Sequence, residues 1–363
     1  MNLPKKARRI LVIQDYLRSG GTERQSLLLA GEFAAAGREV LLLRFRPGGA
    51  LADHVPPGVG TRVLQPFDTR LDWFAPGLGR AVRRFLPDCV LCMGRMANGL
   101  SLRAKAAVPS ASVVCTMRTG KPLSCLHRLN FSMADAVVAN SAAAAVALEC
   151  EYGVRPGRIH VIRNAPVFAP EEDGPDGLGR AAVEPCVSGG GCVLLCVAMF
   201  RPEKNHRGLL RSLAALPVGL RWRLVLVGDG PERGGCEEFA RNTPSLAGRV
   251  EFAGFQADPR PFYRSADVAV LASLRESLPN FLVEAHLHGV PSVAYSAGGA
   301  AECGGLMVPL GGEADLATLL SRLLGDAAFR AAESARVRAF AEERFSRAAQ
   351  SRAYLRLLDE LAA

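Results

Sequence analysis

Short, almost unbroken apolar runs recur along the chain, and most are followed by stretches in which apolar and polar positions repeat at helical spacing. In the first half they read RRILVI, then helical TERQSLLLAGEFAAAG, then EVLLLRF, later helical LGRAVRRFL before DCVLCM, then SVVCTM, and MADAVVANS before AAAAVALECEYG. Unbroken runs belong to strands covered on both faces, and their alternation with helices predicts a parallel, doubly wound sheet. Residues 170–191 interrupt the rhythm with Gly, Pro and charge and read as a linker or loose loop. Beyond them it resumes with CVLLCVAMF, a helix around HRGLLRSLAAL, RLVLVGDG, a helix near GCEEFAR, VEFAGF, a helix near RPFYRSA, DVAVLAS, PSVAYS and a helical tail from about Ala314. The expected class is α/β with two Rossmann-like domains facing across a cleft: residues 1–169, a linker at 170–191, residues 192–345, and a helix at 346–363 free to return to the first domain. Ligands of such sheets sit beyond the carboxyl ends of the strands.

The 363 residues suit two domains rather than one core. The apolar run Ile10–Ile13 stops at Gln14 and Asp15, too short for a signal peptide, and no stretch approaches the ~18 apolar residues of a membrane span. A cytoplasmic protein is expected. The ten cysteines scatter singly; the closest pairs, Cys89/Cys92 and Cys192/Cys196, lie in strand-like runs, where alternation sends 89 and 92 to opposite faces. Reduced core thiols are expected, with neither disulfides nor a metal site. Charge divides unevenly: residues 1–165 hold 23 Lys+Arg against 11 Asp+Glu, and residues 166–363 hold 21 against 24. The basic half fits anionic partners, a membrane face or a phosphorylated acceptor among them. Aromatics at 6% and the lack of basic-aromatic interleaving argue against nucleic acid.

Four segments carry candidate chemistry. Gly20-Gly21 stands between RRILVIQ and a helix expected to open at Thr22, with Gln25 as capping-box partner. Such a turn admits a phosphate to backbone amides and reads equally as a plain tight turn. Arg201-Pro202-Glu203-Lys204-Asn205 follows CVLLCVAMF, where cations would face a diphosphate; the alternative is a solvated loop. RESLPNFLVEAHLHG places Glu276 just before a helix begun near Pro279, Glu284 about a turn inside, and Gly289 at its end. The amides of Asn280, Phe281 and Leu282 would point toward an anion, so the two carboxylates read as hydroxyl ligands flanking a phosphate cradle. Gly298-Gly299-Ala300-Ala301-Glu302 adds another glycine turn.

In order, GGTERQSLLLA, ADAVVANSAAAA, VIRNAP, RPEKN, LVGDGP, VEFAGF, E-SLPNFLV-E and GGAAE resemble the retaining glycosyltransferases of family 4, the "glycosyl transferases group 1" set, with the GT-B fold. The likeness runs over about residues 8–310. It implies a nucleotide-diphosphate sugar as donor, a UDP-sugar or GDP-sugar, with no further cofactor. Lys204 matches the phosphate lysine, Glu284 the ribose-binding glutamate and Glu276 the residue at the sugar; the amides of Asn280, Phe281 and Leu282 and of Gly20 and Gly21 would hold the diphosphate from opposite sides. Transfer with retention is implied, the leaving phosphate helping to deprotonate the acceptor. No two aspartates stand two apart in a D-x-D pair, so metal independence is expected.

The chain departs from the family pattern in three places. Ala198-Met199 stands where many relatives have Gly-Arg, with Arg201 the nearest arginine; CGGLMVP is short; and Arg118, in CTMRTGKP, occupies a strand end where some relatives have a histidine. Arg118 is therefore the acceptor-side candidate, and Arg201 joins Lys204 and Glu276 as a catalytic one. A glycan or lipid-linked acceptor in cell-surface polysaccharide synthesis fits the basic half. The stretch RLDWFAPGLGRAVRRFLP, with Trp73, Phe74, Phe85, Arg80, Arg83 and Arg84, reads as a membrane-surface contact at the inner face of the cell membrane or as an ordinary packing helix. The rival functions are a nucleotide-sugar epimerase or glycan phosphorylase on the same architecture and a catalytically silent nucleotide-sugar-binding subunit.

Overall fold

A computed structural model of the chain describes residues 6–120, 122–170 and 191–363; the linker expected at 170–191 falls almost wholly outside them. The chain forms two compact units, one from residues up to Val167 together with Arg347–Ala363, the other from Phe168–Ser346.

In the first unit seven parallel strands, β1 (Arg9–Gln14), β2 (Glu39–Arg44), β3 (Val59–Val63), β4 (Cys89–Cys92), β5 (Ser112–Met117), β6 (Ala136–Ala139) and β7 (Ile159–Val161), lie in the order β3-β2-β1-β4-β5-β6-β7. The register is regular at the centre, Val12 pairing Leu42 on one side and Leu91 on the other. Strand β1 is buried from Ile10 to Gln14, as a central parallel strand must be. Helix α1 (Gly21–Ala35) presses Ser26, Leu29, Ala30 and Phe33 against the sheet at helical spacing. It ends where Gly37 takes a left-handed conformation (φ +76°) and returns its amide to Ala34 O at 2.9 Å. Helices α2 (Leu78–Phe85), α3 (Arg95–Gly99), α4 (Ser101–Ala107), α5 (Cys125–Met133) and α6 (Ala142–Cys150) follow in turn. Cys89 packs in the core on the α1 face and Cys92 in the core on the other, while Cys125 and Cys150 are exposed rather than in the core.

In the second unit six parallel strands, β8 (Cys192–Val197), β9 (Trp222–Val227), β10 (Val250–Gly254), β11 (Val268–Leu271), β12 (Ser292–Tyr295) and β13 (Leu306–Val308), lie in the order β10-β9-β8-β11-β12-β13. Helices α7 (His206–Ala214), α8 (Arg233–Asn242), α9 (Arg260–Ser265), α10 (Asn280–Leu287), α11 (Glu313–Gly325) and α12 (Ala327–Arg344) surround one core built on β8, β9 and β11.

The last helix, α13 (Arg347–Ala362), belongs to the first unit. Asp359 accepts from the Ala7 amide (2.8 Å) and from Arg38 (2.9 Å), Ser112 donates to Leu361 O (2.7 Å), and Gln350 donates to Gln25 Oε1 (2.9 Å). Tyr354 is buried beside Phe33, ring centroids 6.2 Å apart. No helix of the described residues is long and apolar enough to cross a membrane.

Candidate functional site

At the carboxyl end of β8 the chain is shaped by two glycines that follow β9. Gly228 (φ +144°) and Gly230 (φ +153°) lie so close to the carbonyls of Ala198 and Phe200 that a Cβ on either would collide with them. This explains the two glycines of LVGDGP: they let one strand-end loop nest against the loop carrying Arg201 and Lys204. Pro202–Lys204 makes one 3-10 turn, and Asn205, left-handed at φ +51°, caps α7 by accepting from Gly208 N (3.2 Å). Asn205 also donates to Ala272 O (3.2 Å), and the Leu274 amide donates to Glu203 O (2.8 Å). Two hydrogen bonds thus bind the Arg201–Asn205 loop to the segment running from β11 to Glu276.

Across that junction Lys204 Nζ donates to Glu276 Oε1 at 2.6 Å, with 24% of the lysine side chain and 8% of the glutamate exposed. Each charge offsets the desolvation of the other, so removing one leaves the other stranded. The Glu276 backbone is seated by Gly298 (φ +52°), which packs against its carbonyl where a side chain would collide. Arg201 is half-buried, and its guanidinium has no hydrogen bond or ion pair among the described residues.

Helix α10 starts one residue later than the proline suggests. Pro279 is extended and caps it, and the first helical residue is Asn280. The amides of Asn280 and Phe281 head the helix, but that of Leu282 already donates to Pro279 O at 3.2 Å, so it is not available as the sequence pattern implies. Glu284, 5% exposed, accepts from the Tyr263 hydroxyl at 2.7 Å, and Tyr263 is itself packed between Phe281 and His288 (ring centroids 6.1 and 5.2 Å). The helix is anchored from below by His286, whose Nδ1 donates to Cys303 O (2.9 Å) and whose Nε2 accepts from Ser292 (2.7 Å). Burial pushes this imidazole down to about 4, keeping it neutral. Beside the site, His206 stacks on Phe200 at 4.1 Å with both ring nitrogens buried and without a partner among the described residues; burial first, then Lys204, lowers it to about 4.

Gly20, Gly21 and Arg118 belong to the first unit. Gly20 is the N-cap of α1 at ordinary extended angles (φ −78°, ψ 165°), with no side-chain cap. Thr22 therefore sits inside the helix, and the capping box does not form: buried Gln25 instead donates to Ala165 O at 2.6 Å and accepts from Gln350. A Cβ on Gly20 would meet the Glu23 carboxylate. Arg118 donates to Asn164 Oδ1 (2.5 Å) and to the Tyr354 hydroxyl (2.6 Å), occupying its guanidinium as a brace onto α13.

The motifs do not reveal two charged residues of this unit. Asp15, just after β1, accepts from the amides of Met96 (2.9 Å) and Ala97 (2.6 Å) at the start of α3; burial outweighs those bonds and raises it to about 7. Gly94 must lack a side chain because Asp15 occupies that space. Arg44, at the carboxyl end of β2, is buried with Nε and Nη1 unpartnered among the described residues. An acidic residue ending an apolar strand, as in ILVIQD, is the one signal that could have flagged Asp15. Among the described residues no three His, Cys, Asp or Glu side chains gather as a metal-binding group.

Residues 19–165 match the family described as "Glycosyltransferase Family 4" and residues 191–326 that described as "Glycosyl transferases group 1". Between them the two matches cover most of the chain, which belongs to this family of glycosyltransferases. It is 33% identical over 171 residues to the lipopolysaccharide core biosynthesis glycosyltransferase LpsE of Rhizobium meliloti, covering 46% of this chain and 49% of that protein. It is 38% identical over 144 residues to the putative glycosyltransferase EpsF of Bacillus subtilis, 38% of this chain and 35% of that one. The chain thus spans half or less of the length of these curated relatives. Among solved structures, Anabaena Alr3699/HepE in complex with UDP-glucose superposes with a TM-score of 0.77 at 24% identity, over 97% of this chain and 99% of that one. The fold is that of the GT-B glycosyltransferases.

Proposed function

We propose that the chain is a retaining glycosyltransferase that needs no metal and moves a sugar from a nucleotide-diphosphate sugar to a glycan or lipid-linked acceptor during cell-surface polysaccharide synthesis, working at the cytoplasmic side of the membrane. The observation that carries this is the Lys204–Glu276 contact of 2.6 Å, held by loops whose geometry is fixed through Gly228, Gly230 and Gly298. In this reading Lys204 and Arg201 stabilise the charge that grows on the departing diphosphate. The head of α10 at Asn280 and Phe281 adds its dipole, with Leu282 contributing packing. Glu284, aligned by Tyr263, binds the ribose hydroxyls, and Glu276 turns from Lys204 to the sugar when donor arrives. Gly20 and Gly21 are the candidate phosphate-binding turn of the first unit. The acceptor assignment is supported by the relative named for lipopolysaccharide core biosynthesis, and a UDP-sugar by the UDP-glucose of the Anabaena protein.

The test is a calorimetric and thermal-shift screen against UDP, GDP and ADP with their sugars, followed by nucleoside-diphosphate release. Stabilisation by one nucleotide class and slow release from its sugar are expected, and chelator should leave release unchanged. Donor binding with no turnover on any acceptor would instead make the chain a silent binding subunit, and a large loss on chelation would overturn the metal-free part.

A further inference from the structure

Helix α5 buries one large apolar side chain, Phe131, beside two polar ones. The polar pair is held by specific bonds: His127 donates from Nε2 to Arg95 O (3.0 Å) and accepts from Ser124 (2.9 Å). Asn130 accepts from Ser101 (2.8 Å) and the Leu102 amide (3.0 Å), tying α5 to α4. Its outward face carries Leu126, Leu129 and Met133, 54%, 53% and 58% exposed, at the i, i+3, i+7 spacing of one stripe. Such a stripe left in water costs stability and favours self-association, so it marks a surface that something covers.

Charge indicates what covers the stripe. From Cys89 to Ala134 the sequence has no Asp or Glu and contains Arg95, Arg103, Lys105, Arg118, Lys121 and Arg128. Arg95, Arg103 and Arg128, on α3, α4 and α5, are exposed, whereas Lys105 is paired with Asp135 and Arg118 with Asn164 and Tyr354. Arg128 lies over the Tyr152 ring with its charge still exposed. Three large apolar groups and three exposed cations, from a segment without Asp or Glu between Asp88 and Asp135, match the acyl boundary and headgroups of an anionic lipid leaflet. The segment singled out by the sequence is a poorer fit in part: Phe85 is buried in the core with Leu78 and Val82, although Trp73 remains 60% exposed.

We propose that the outer face of α5, Leu126, Leu129 and Met133 with Arg128, Arg103 and Arg95 around them, seats the first unit on an anionic phospholipid surface. This deepens the membrane-side reading above, and its test needs neither donor nor acceptor, so it can fail while the glycosyltransferase reading stands. The full chain is sedimented with phosphatidylcholine vesicles and with vesicles containing about one-third phosphatidylglycerol. Binding only to the anionic vesicles is expected, weakening as salt rises, and falling at least about tenfold in Leu126→Ser/Leu129→Ser and in Arg103→Glu/Arg128→Glu. Both variants should keep the parent's melting temperature and nucleotide binding. Trp73→Ser is the comparison; loss through Trp73 with the α5 variants unaffected overturns the assignment to α5. A parent that ignores anionic vesicles overturns it too, as does a dimer in light scattering that Leu126→Ser/Leu129→Ser dissociates, since a second copy would then cover the stripe.

Discussion

In the second unit the charged side chains of the candidate site are paired and braced: Lys204 meets Glu276, Tyr263 holds Glu284, and three glycines fit the loops together without slack. The first unit holds a buried arginine with two nitrogens unpartnered among the described residues, a carboxyl raised to about 7, and, scattered over it, most of the large apolar side chains that the described residues leave exposed. On the function proposed above, the difference matches two kinds of ligand. A nucleotide-diphosphate sugar presents the same diphosphate and ribose each time, and a preformed site loses least entropy in binding it. Acceptors differ among glycosyltransferases, and a unit meeting a variable or lipid-bound partner retains unfilled polar groups and uncovered apolar area.

The largest effect that would break this contrast is expected at Gly298. Alanine there collides with the Glu276 carbonyl at a left-handed backbone angle, and Gly298→Ala should cost about 2–3 kcal/mol in denaturant unfolding of the second unit while abolishing donor binding. An unaltered stability would mean the loops are not rigidly nested. Next come Lys204→Ala and Glu284→Ala, each expected to weaken nucleoside-diphosphate affinity or transfer by about 1–3 kcal/mol; calorimetry showing parent affinity in both would remove the donor site from this unit. Glu276→Gln sharpens the point. It frees Lys204 from a competing carboxylate, so diphosphate should bind up to about tenfold tighter while sugar transfer falls, and weaker binding of both would show the pair to be purely structural.

The smallest effect tests the first unit. Asp15 is an acid with a folded-state value raised from 3.8 to about 7, so the folded chain binds the extra proton between those values and its stability declines as pH rises through 7. His206 and His286, lowered to about 4, act oppositely and only below their unfolded value near 6.5. Between pH 6 and 8 the stability of the parent relative to Asp15→Asn should fall by about 1 kcal/mol, the histidine contributions being common to both. Parallel melting-temperature profiles for the two would mean Asp15 is ionised throughout.

The central strands were legible because parallel strands buried on both faces leave unbroken apolar runs, as RRILVI, DCVLCM and CVLLCVAMF do. Strands β3, β7 and β13 were not read, and all three are sheet edges of three to five residues with half-exposed side chains, where burial imposes no pattern. The pair Lys204 and Glu276 was visible as two motifs 72 positions apart, but their contact depends on glycines whose fit only three dimensions reveal. Tyr263 lay in a helix that was read, but nothing local ties its hydroxyl to Glu284, 21 positions on; α5 escaped because it buries His127 and Asn130 with Phe131 and exposes Leu126, Leu129 and Met133, which blurs the apolar period. Gln25 misled for a related reason: capping-box spacing is local, and its amide was claimed by a carbonyl 140 residues away.

Helix α13 gives the molecule an order of assembly. The second unit is written in one continuous stretch of sequence, so it can complete itself as soon as it leaves the ribosome, whereas the first must wait until Tyr354 and Asp359 have been synthesised to fill its core and tie down Ala7 and Arg38. A nascent chain therefore holds its second unit finished while the first is still open, and clipping the final helix would harm the portion of the protein translated first.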